Sequence, residues 1–78
     1  MKVQVLGTGC PKCEKMAETA VKAADSIGLD YQLIKVVDLN DIMSFGVMIT
    51  PALAVDGKVL VRGRVPSLEE MKELLEAL

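Results

Sequence analysis

Two cysteines, Cys10 and Cys13, are the residues of this chain with the greatest chemical reactivity. They lie two residues apart in the segment GTGCPKC, and the 78 residues include no other cysteine and no histidine. Paired thiolates can bind a metal, form a structural disulfide or exchange electrons with another disulfide. A disulfide that closes so short a loop gains little stability. The sequence therefore favours a redox or a metal-binding role over a structural one.

The position of Cys10 favours its thiolate form. The residue follows an apolar segment and a glycine-containing loop, and it lies at or beside the N-cap of a helix that we predict to begin at Pro11. Proline suits the first position of a helix. Unpaired N–H groups and a partial positive charge at a helix N-terminus stabilise a thiolate. Lys12 adds positive charge beside it. We therefore predict that Cys10 is a nucleophile, with Pro11 and Lys12 as supporting residues.

Cys13 lies one helical turn after Cys10. Residues three positions apart on a helix face are about 5–6 Å apart, which is within the separation that a disulfide tolerates. Cys13 also falls on the apolar stripe of the predicted helix 11–27, so its thiol should be shielded from solvent. An exposed thiolate beside a shielded thiol suits a dithiol carrier, in which Cys10 attacks a substrate disulfide and Cys13 resolves the mixed disulfide.

The elements that position these cysteines are separated by clear turn and capping signals. Asp38 and Ser67 are predicted helix N-caps, with Glu70 at the capping-box position. Asp56 and Gly57 form the dipeptide that most strongly predicts a two-residue hairpin turn. The predicted strands are 2–6, 30–37, 52–55 and 58–62, and the predicted helices are 11–27, 39–45 and 68–78.

This order of elements predicts an α/β fold of βαβαββα type. The first two strands are joined through a helix and should be parallel, whereas the last two form an antiparallel hairpin. The apolar strands require cover on both sides. We therefore expect one domain over residues 1–78, with a four-stranded mixed sheet and helices on both faces.

Composition narrows the classes of partner. The net charge is −2 and no basic cluster appears, which argues against nucleic-acid binding. No apolar segment reaches the roughly 20 residues of a membrane span, and the first residues lack the pattern of a secretory signal. We expect a cytoplasmic monomer. Because the cytosol keeps ordinary thiols reduced, a cysteine pair there is typically catalytic or metal-binding.

The motif CPKC after a strand, Thr-Pro before a hairpin and the βαβαββα order together resemble the thioredoxin/glutaredoxin superfamily. The resemblance extends over essentially the whole chain. Within the superfamily, the chain most resembles the small archaeal and bacterial redox-active disulfide proteins. It implies a minimal thioredoxin-like fold and activity as a protein disulfide oxidoreductase. The redox group would be the Cys10–Cys13 disulfide, with no bound cofactor. The implied partners are protein disulfide substrates and a thioredoxin-reductase-like electron donor.

The same resemblance assigns roles to residues far from the cysteines. Pro51 matches the cis-proline that faces the disulfide in these proteins. Thr50, directly before it, matches the residue whose backbone pairs with an extended substrate chain in the manner of an added strand. Gly63 falls in the loop that would flank this substrate groove.

The chain departs from its larger relatives at several positions. Gly9 stands where larger thioredoxins have tryptophan, and the first strand offers Val3 and Val5 where they carry a buried aspartate. Proton transfer to Cys13 is then expected to depend on water or on the substrate. The segment GRVPS lacks the Gly-Gly and acidic pair with which glutaredoxins bind glutathione, so the resemblance does not imply glutathione binding.

Metal binding by the same two thiolates is the alternative function. Copper chaperones also place a CxxC motif at the start of a helix, but their second strand leads directly into a hairpin, whereas here a helix is predicted. A closed zinc site needs four ligands, so carboxylates or a second chain would have to complete it, and a dimeric four-thiolate site stays open. Met43 and Met48 are potential soft ligands, but we expect them in the core, where methionine commonly packs.

Overall fold

Seven elements follow one another in the predicted order. The computed structural model of the chain describes residues 1–9 and 11–77. The elements are β1 (Lys2–Leu6), α1 (Pro11–Ser26), β2 (Gln32–Val36), α2 (Leu39–Ser44), β3 (Ala52–Val55), β4 (Lys58–Arg62) and α3 (Leu68–Glu76). The βαβαββα order predicted from the sequence is confirmed.

The sheet is mixed, with strand order β2-β1-β3-β4. Strand β1 pairs in parallel with β2 and antiparallel with β3, and β3 pairs antiparallel with β4. Asp56 and Gly57 connect β3 to β4 with φ values of 49° and 87°, the left-handed geometry that an Asp-Gly turn adopts. This turn is also hydrogen-bonded to β1. The backbone N–H of Asp56 donates to the carbonyl of Lys2 over 2.9 Å, and that of Gly57 donates to Gln4 Oε1 over 2.9 Å.

Helices cover both faces of the sheet, but unequally. Because side chains alternate along a strand, Val3 and Leu53 point to one face while Leu6 and Ala52 point to the other. Helices α1 and α3 pack side by side over the first face. The buried residues of this larger cluster are Val3, Val5, Met16, Ala17, Ala20, Ala23, Ala24, Leu53, Val55, Val61, Met71 and Leu75. The smaller cluster under α2 consists of Leu6, Ile42, Val47, Ala52 and Ala54.

Both predicted helix caps form. The Asp38 carboxylate accepts a hydrogen bond from the N–H of Asn40 over 2.8 Å at the start of α2, and the Ser67 hydroxyl accepts one from the N–H of Glu70 over 3.2 Å at the start of α3. The carboxylate of Glu70 binds the Arg64 guanidinium through two parallel hydrogen bonds. The loop after β4 and the first turn of α3 are thereby joined by an exposed ion pair.

The ends of α1 and β2 differ slightly from the prediction. Helix α1 ends at Ser26, one residue early, because Gly28 adopts a φ of 69°. The N–H of Leu29 donates to Ala24 over 2.9 Å and that of Gly28 donates to Asp25 over 3.2 Å, which is the Schellman pattern of helix termination. The linker that follows delays the start of β2. Leu78, predicted to be in the last helix, lies outside the described residues.

The expectation that Met43 and Met48 are core residues is wrong. Their side chains are 56% and 91% exposed, respectively. Helix α2 has only six residues, and Ile42 is its buried side chain, so Met43 on the next position faces solvent. Leu68, the first residue of α3, is also 38% exposed.

Candidate functional site

Helix α1 begins where the sequence predicts. Pro11 is its first residue, and both Pro11 and Lys12 are exposed. Cys10 lies outside the described residues, so its predicted position at the N-cap and its role as nucleophile stay predictions. The described part of the site therefore begins with the exposed first turn of α1 and continues inward to Cys13.

Cys13 is buried on the sheet-facing side of α1, with 6% of its surface exposed. Its sulfur lies against Gly7, which directly follows β1 and extends the pairing with β2 by donating its N–H to the carbonyl of Val36 over 3.0 Å. A Cβ atom placed on Gly7 would overlap Cys13 Sγ and would lie 3.1 Å from Cys13 Cβ. The first turn of α1 can approach the sheet this closely because residue 7 has no side chain.

The Thr50–Pro51 segment lies next to the same point. Its peptide bond is cis, Thr50 is exposed and Pro51 is buried. A Cβ atom on Gly7 would be 3.9 Å from Thr50 Cβ, so Cys13 and Thr50 both lie close to Gly7. The fold thus brings together residues that the sequence separates by most of α1, β2 and α2.

Gly63 also contacts this segment. Its N–H donates to the carbonyl of Pro51 over 2.8 Å, and its φ of 80° belongs to the left-handed region that favours glycine. A Cβ atom there would lie 3.0 Å from Ile49 Cγ2. The loop after β4 therefore flanks the cis peptide.

A cavity of about 60 Å³ opens beside Cys13. A buried water needs roughly 10–15 Å³ of such space, so the cavity can admit water to the Cys13 side of the site. Two exposed charged residues, Glu14 of α1 and Lys35 of β2, contribute to its wall. The full lining is Val5, Gly7, Gly9, Cys13, Glu14, Lys35 and Val37.

An apolar groove, which we call the methionine groove, lies on the other side of Thr50. Its volume is about 240 Å³ and its lining is Thr8, Leu39, Ile42, Met43, Val47, Met48 and Thr50. Three of the large exposed apolar side chains among the described residues line it, namely Leu39, Met43 and Met48. Concentrated exposed apolar surface of this kind is typical of a binding surface.

Sequence reasoning missed three residues of this site. The signal for Gly7 was present, since a glycine at the end of a strand often marks a close approach of another segment. Glu14 and Lys35 gave no comparable signal. They meet at the cavity only because α1 crosses over β2, and their spacing in the sequence does not reveal that contact.

Residues 1–9 and 11–77 contain neither a candidate metal site nor a membrane-spanning helix. No group of three or more His, Cys, Asp or Glu side chains is placed so that it could hold a metal ion. No helix in this part of the chain combines the length and apolar character needed to cross a membrane.

Comparison with known proteins gives the family. The family model described as a thioredoxin domain matches residues 1–76. The chain belongs to the thioredoxin-domain family. A protein named thioredoxin from Methanocaldococcus jannaschii is 40% identical over 75 residues, which is 96% of this chain and 86% of that protein. Another thioredoxin, from Methanothermobacter thermautotrophicus, is 39% identical over 75 residues, covering 96% of this chain and 97% of the relative.

Membership in the thioredoxin-domain family confirms the resemblance drawn from the CPKC and Thr-Pro motifs. The family consists of thiol–disulfide oxidoreductases. The described geometry is compatible with that chemistry, because a shielded thiol, a cis-proline and an apolar groove converge at one end of the sheet. The mixed four-stranded sheet is the fold expected for a small thioredoxin-like protein.

Proposed function

We propose that this chain is a cytoplasmic, monomeric dithiol electron carrier that reduces or exchanges protein disulfides through its CPKC segment. A single thioredoxin-like domain over residues 1–78 would carry the activity. The observation that best supports the proposal is the convergence at Gly7, where the buried Cys13 sulfur and Thr50 both lie within 4 Å of the position that a Cβ on this glycine would take. The family assignment supports the same chemistry independently.

The proposed reaction has two exchange steps. In the first, the Cys10 thiolate attacks one sulfur of a substrate disulfide, a Cys10–substrate disulfide forms, and the other substrate sulfur leaves as a thiolate. In the second, Cys13 gives up its proton and attacks Cys10, so the Cys10–Cys13 disulfide forms and the second substrate thiolate leaves. The substrate gains two electrons and takes up two protons, and the cysteine pair loses two electrons.

Helix α1 would favour the first step, because its N-terminal N–H groups and the nearby Lys12 stabilise a thiolate at Cys10. The cavity beside Cys13 would serve the second step by admitting the water that accepts the Cys13 proton. No buried carboxylate is needed for this route, which fits the prediction that proton transfer relies on water or substrate.

Substrate binding would use the opposite side of the site. An extended substrate segment would pair with the backbone at Thr50, beside Pro51, with Gly63 bordering the groove. The methionine groove would accept an apolar side chain near the substrate disulfide. Methionine suits such a surface because its flexible thioether adapts to different partners.

The oxidised pair would be reduced again by a separate protein. We propose a thioredoxin-reductase-like donor that supplies two electrons and two protons through a dithiol of its own. The Cys10–Cys13 pair would itself be the redox group, so this cycle uses no bound cofactor.

The experiment that tests the proposal compares Cys13→Ser with Cys10→Ser. Cys13→Ser should trap a mixed disulfide between Cys10 and a substrate protein, because the second step cannot follow, and the bond should break on addition of dithiothreitol. Cys10→Ser is the matched control and should trap nothing and reduce no disulfide. If Cys10→Ser still reduces insulin disulfides, the proposal is wrong. Stoichiometric zinc or copper on the purified chain, with loss of thiol reactivity, would instead support the metal-binding alternative.

A further inference from the structure

We propose that Gly7 is a positioning residue, whose missing side chain fixes the Cys13 sulfur where it can attack Cys10. The kinetic part of this inference rests on the function proposed above. The packing part does not, because it concerns only how residue 7 and Cys13 share the space between β1 and α1.

Residue 7 is glycine because there is no room for a side chain, and not because its backbone needs the conformational freedom of glycine. Five glycines of the chain have positive φ values, and Gly7 is not one of them. Its backbone conformation is therefore open to alanine. The obstacle is the Cys13 sulfur, since a Cβ on residue 7 would overlap Sγ and would also come within 3.1 Å of Cys13 Cβ.

Neither partner has an easy way to move aside. Gly7 is buried and its N–H is bonded to the carbonyl of Val36 over 3.0 Å, so the strand end is held in the sheet. Cys13 is buried in the first turns of α1, followed on the same helix by the fully buried Met16. An added methyl group must therefore turn the sulfur away from its staggered rotamer or push the start of α1 off the sheet.

Both displacements would act most strongly on one step of the reaction. In the resolving step, Cys13 loses its proton, its sulfur bonds to Cys10, and the Cys10–substrate bond breaks with the electron pair leaving on the substrate thiolate. A misplacement of about 1 Å can slow such a step on the order of 100-fold. No bond to Cys13 Sγ forms or breaks when Cys10 attacks the substrate, so that step should be slowed far less.

The packing test is a double-mutant cycle of Gly7→Ala and Cys13→Ala, followed by urea denaturation. Gly7→Ala alone should lower the folding equilibrium constant by roughly tenfold or more. In the Cys13→Ala background the same change should lower the folding equilibrium constant far less, because the sulfur is gone. The remaining Cβ–Cβ separation of 3.1 Å needs only a small shift. If Gly7→Ala alone fails to fold, recovery in the double variant supports the proposal. An equal loss in both backgrounds overturns it.

The kinetic test uses 5,5′-dithiobis(2-nitrobenzoate), which releases one coloured thiolate on attack by Cys10 and a second on resolution by Cys13. The reduced wild-type chain should show both phases. Gly7→Ala should keep the first rate within about twofold and slow the second by tenfold or more. Equal slowing of both phases, or of neither, overturns the positioning role. A wild-type chain without the second release would overturn the proposed function itself, and the double-mutant cycle would still decide whether Gly7 and Cys13 compete for space.

Discussion

The two faces of the sheet differ in how much apolar surface they bury. The face under α1 and α3 holds a continuous cluster that includes Met16, Leu53 and Met71, all fully buried. The face under α2 holds a cluster of five residues, and α2 itself spans only Leu39–Ser44. The apolar side chains Met43 and Met48, beyond that short helix, remain exposed.

This asymmetry separates the face that buries most of the apolar surface from the face that carries the exposed groove. Hydrophobic stabilisation scales with the apolar area removed from water, so most of it must come from the α1/α3 face. The α2 face gives up part of that burial and presents the methionine groove beside Thr50. Cys13 belongs to α1, so the shielded thiol is held on the face with the larger buried cluster, while the methionine groove, the substrate surface proposed above, lies on the face with the smaller one.

The largest effect is expected from a truncation within the α1/α3 cluster. Leu53 is 0% exposed, and Leu53→Ala should lower the free energy of unfolding by about 2–5 kcal/mol through lost burial and the cavity left behind. Urea denaturation followed by circular dichroism measures this loss. A loss below about 1 kcal/mol would mean that the site collapses easily and that the contrast between the faces is smaller than burial indicates.

Intermediate effects are expected at the two capped helices, one on each face. Ser67→Ala and Asp38→Ala each remove a side-chain hydrogen-bond acceptor from a helix N-terminus. Each should lower the free energy of unfolding by about 1 kcal/mol. Replacement with asparagine, another good N-cap, is the matched control and should restore most of the loss. If Asp38→Ala costs nothing measurable, α2 contributes less to folding than its cap indicates.

A small stability effect and a clear binding effect are expected at Met48. Because its side chain is 91% exposed, Met48→Ser should change the free energy of unfolding by no more than about 0.5 kcal/mol. Under the proposed function it should raise KM for insulin reduction several-fold, since apolar contact with the substrate is lost. The rate with 5,5′-dithiobis(2-nitrobenzoate), a charged reagent with no aliphatic side chain to bind in the groove, should stay the same. Equal effects on both substrates would exclude a role in protein recognition.

The smallest effect is expected at the exposed ion pair of Arg64 and Glu70. The hydrogen bond from Arg64 lowers the pKa of Glu70 below its usual range. A carboxyl group with a lowered pKa contributes stability above its unfolded-state pKa and loses it as the pH falls through the folded-state value. The stability difference between wild type and Glu70→Gln should therefore be small at neutral pH, begin to fall below about pH 4 and vanish in stronger acid. Because the pair is exposed, 1 M NaCl should also reduce the difference, and a difference that persists at pH 2 would point to a cause other than the ion pair.

Local signals were enough to predict the elements of this fold. Pro11 begins α1, Asp38 and Ser67 cap their helices, and the Asp56–Gly57 turn joins β3 to β4, because each of these depends on nearby backbone geometry. The element order then limited the topology to a mixed sheet with α1 as a crossover.

The contacts of the site were less predictable, because they depend on distances between elements. That Gly7 touches the Cys13 sulfur follows from how closely α1 approaches β1, and the periodicity of either segment contains no such distance. The exposure of Met43 and Met48 was missed for a similar reason. From the sequence alone, an apolar residue near a buried helix is predicted to lie in the core. The prediction can be corrected only when the length of the helix and the extent of its buried surface are known.

The contacts between the Asp56–Gly57 turn and β1 have a consequence for local unfolding. In most hairpins the tip opens first, and its amide protons exchange rapidly with solvent. Here the backbone N–H groups of Asp56 and Gly57 donate hydrogen bonds to residues of the central strand β1. Their hydrogen exchange should therefore be slow and should report detachment of β1, so two surface amides far along the chain become probes for opening of the middle of the sheet.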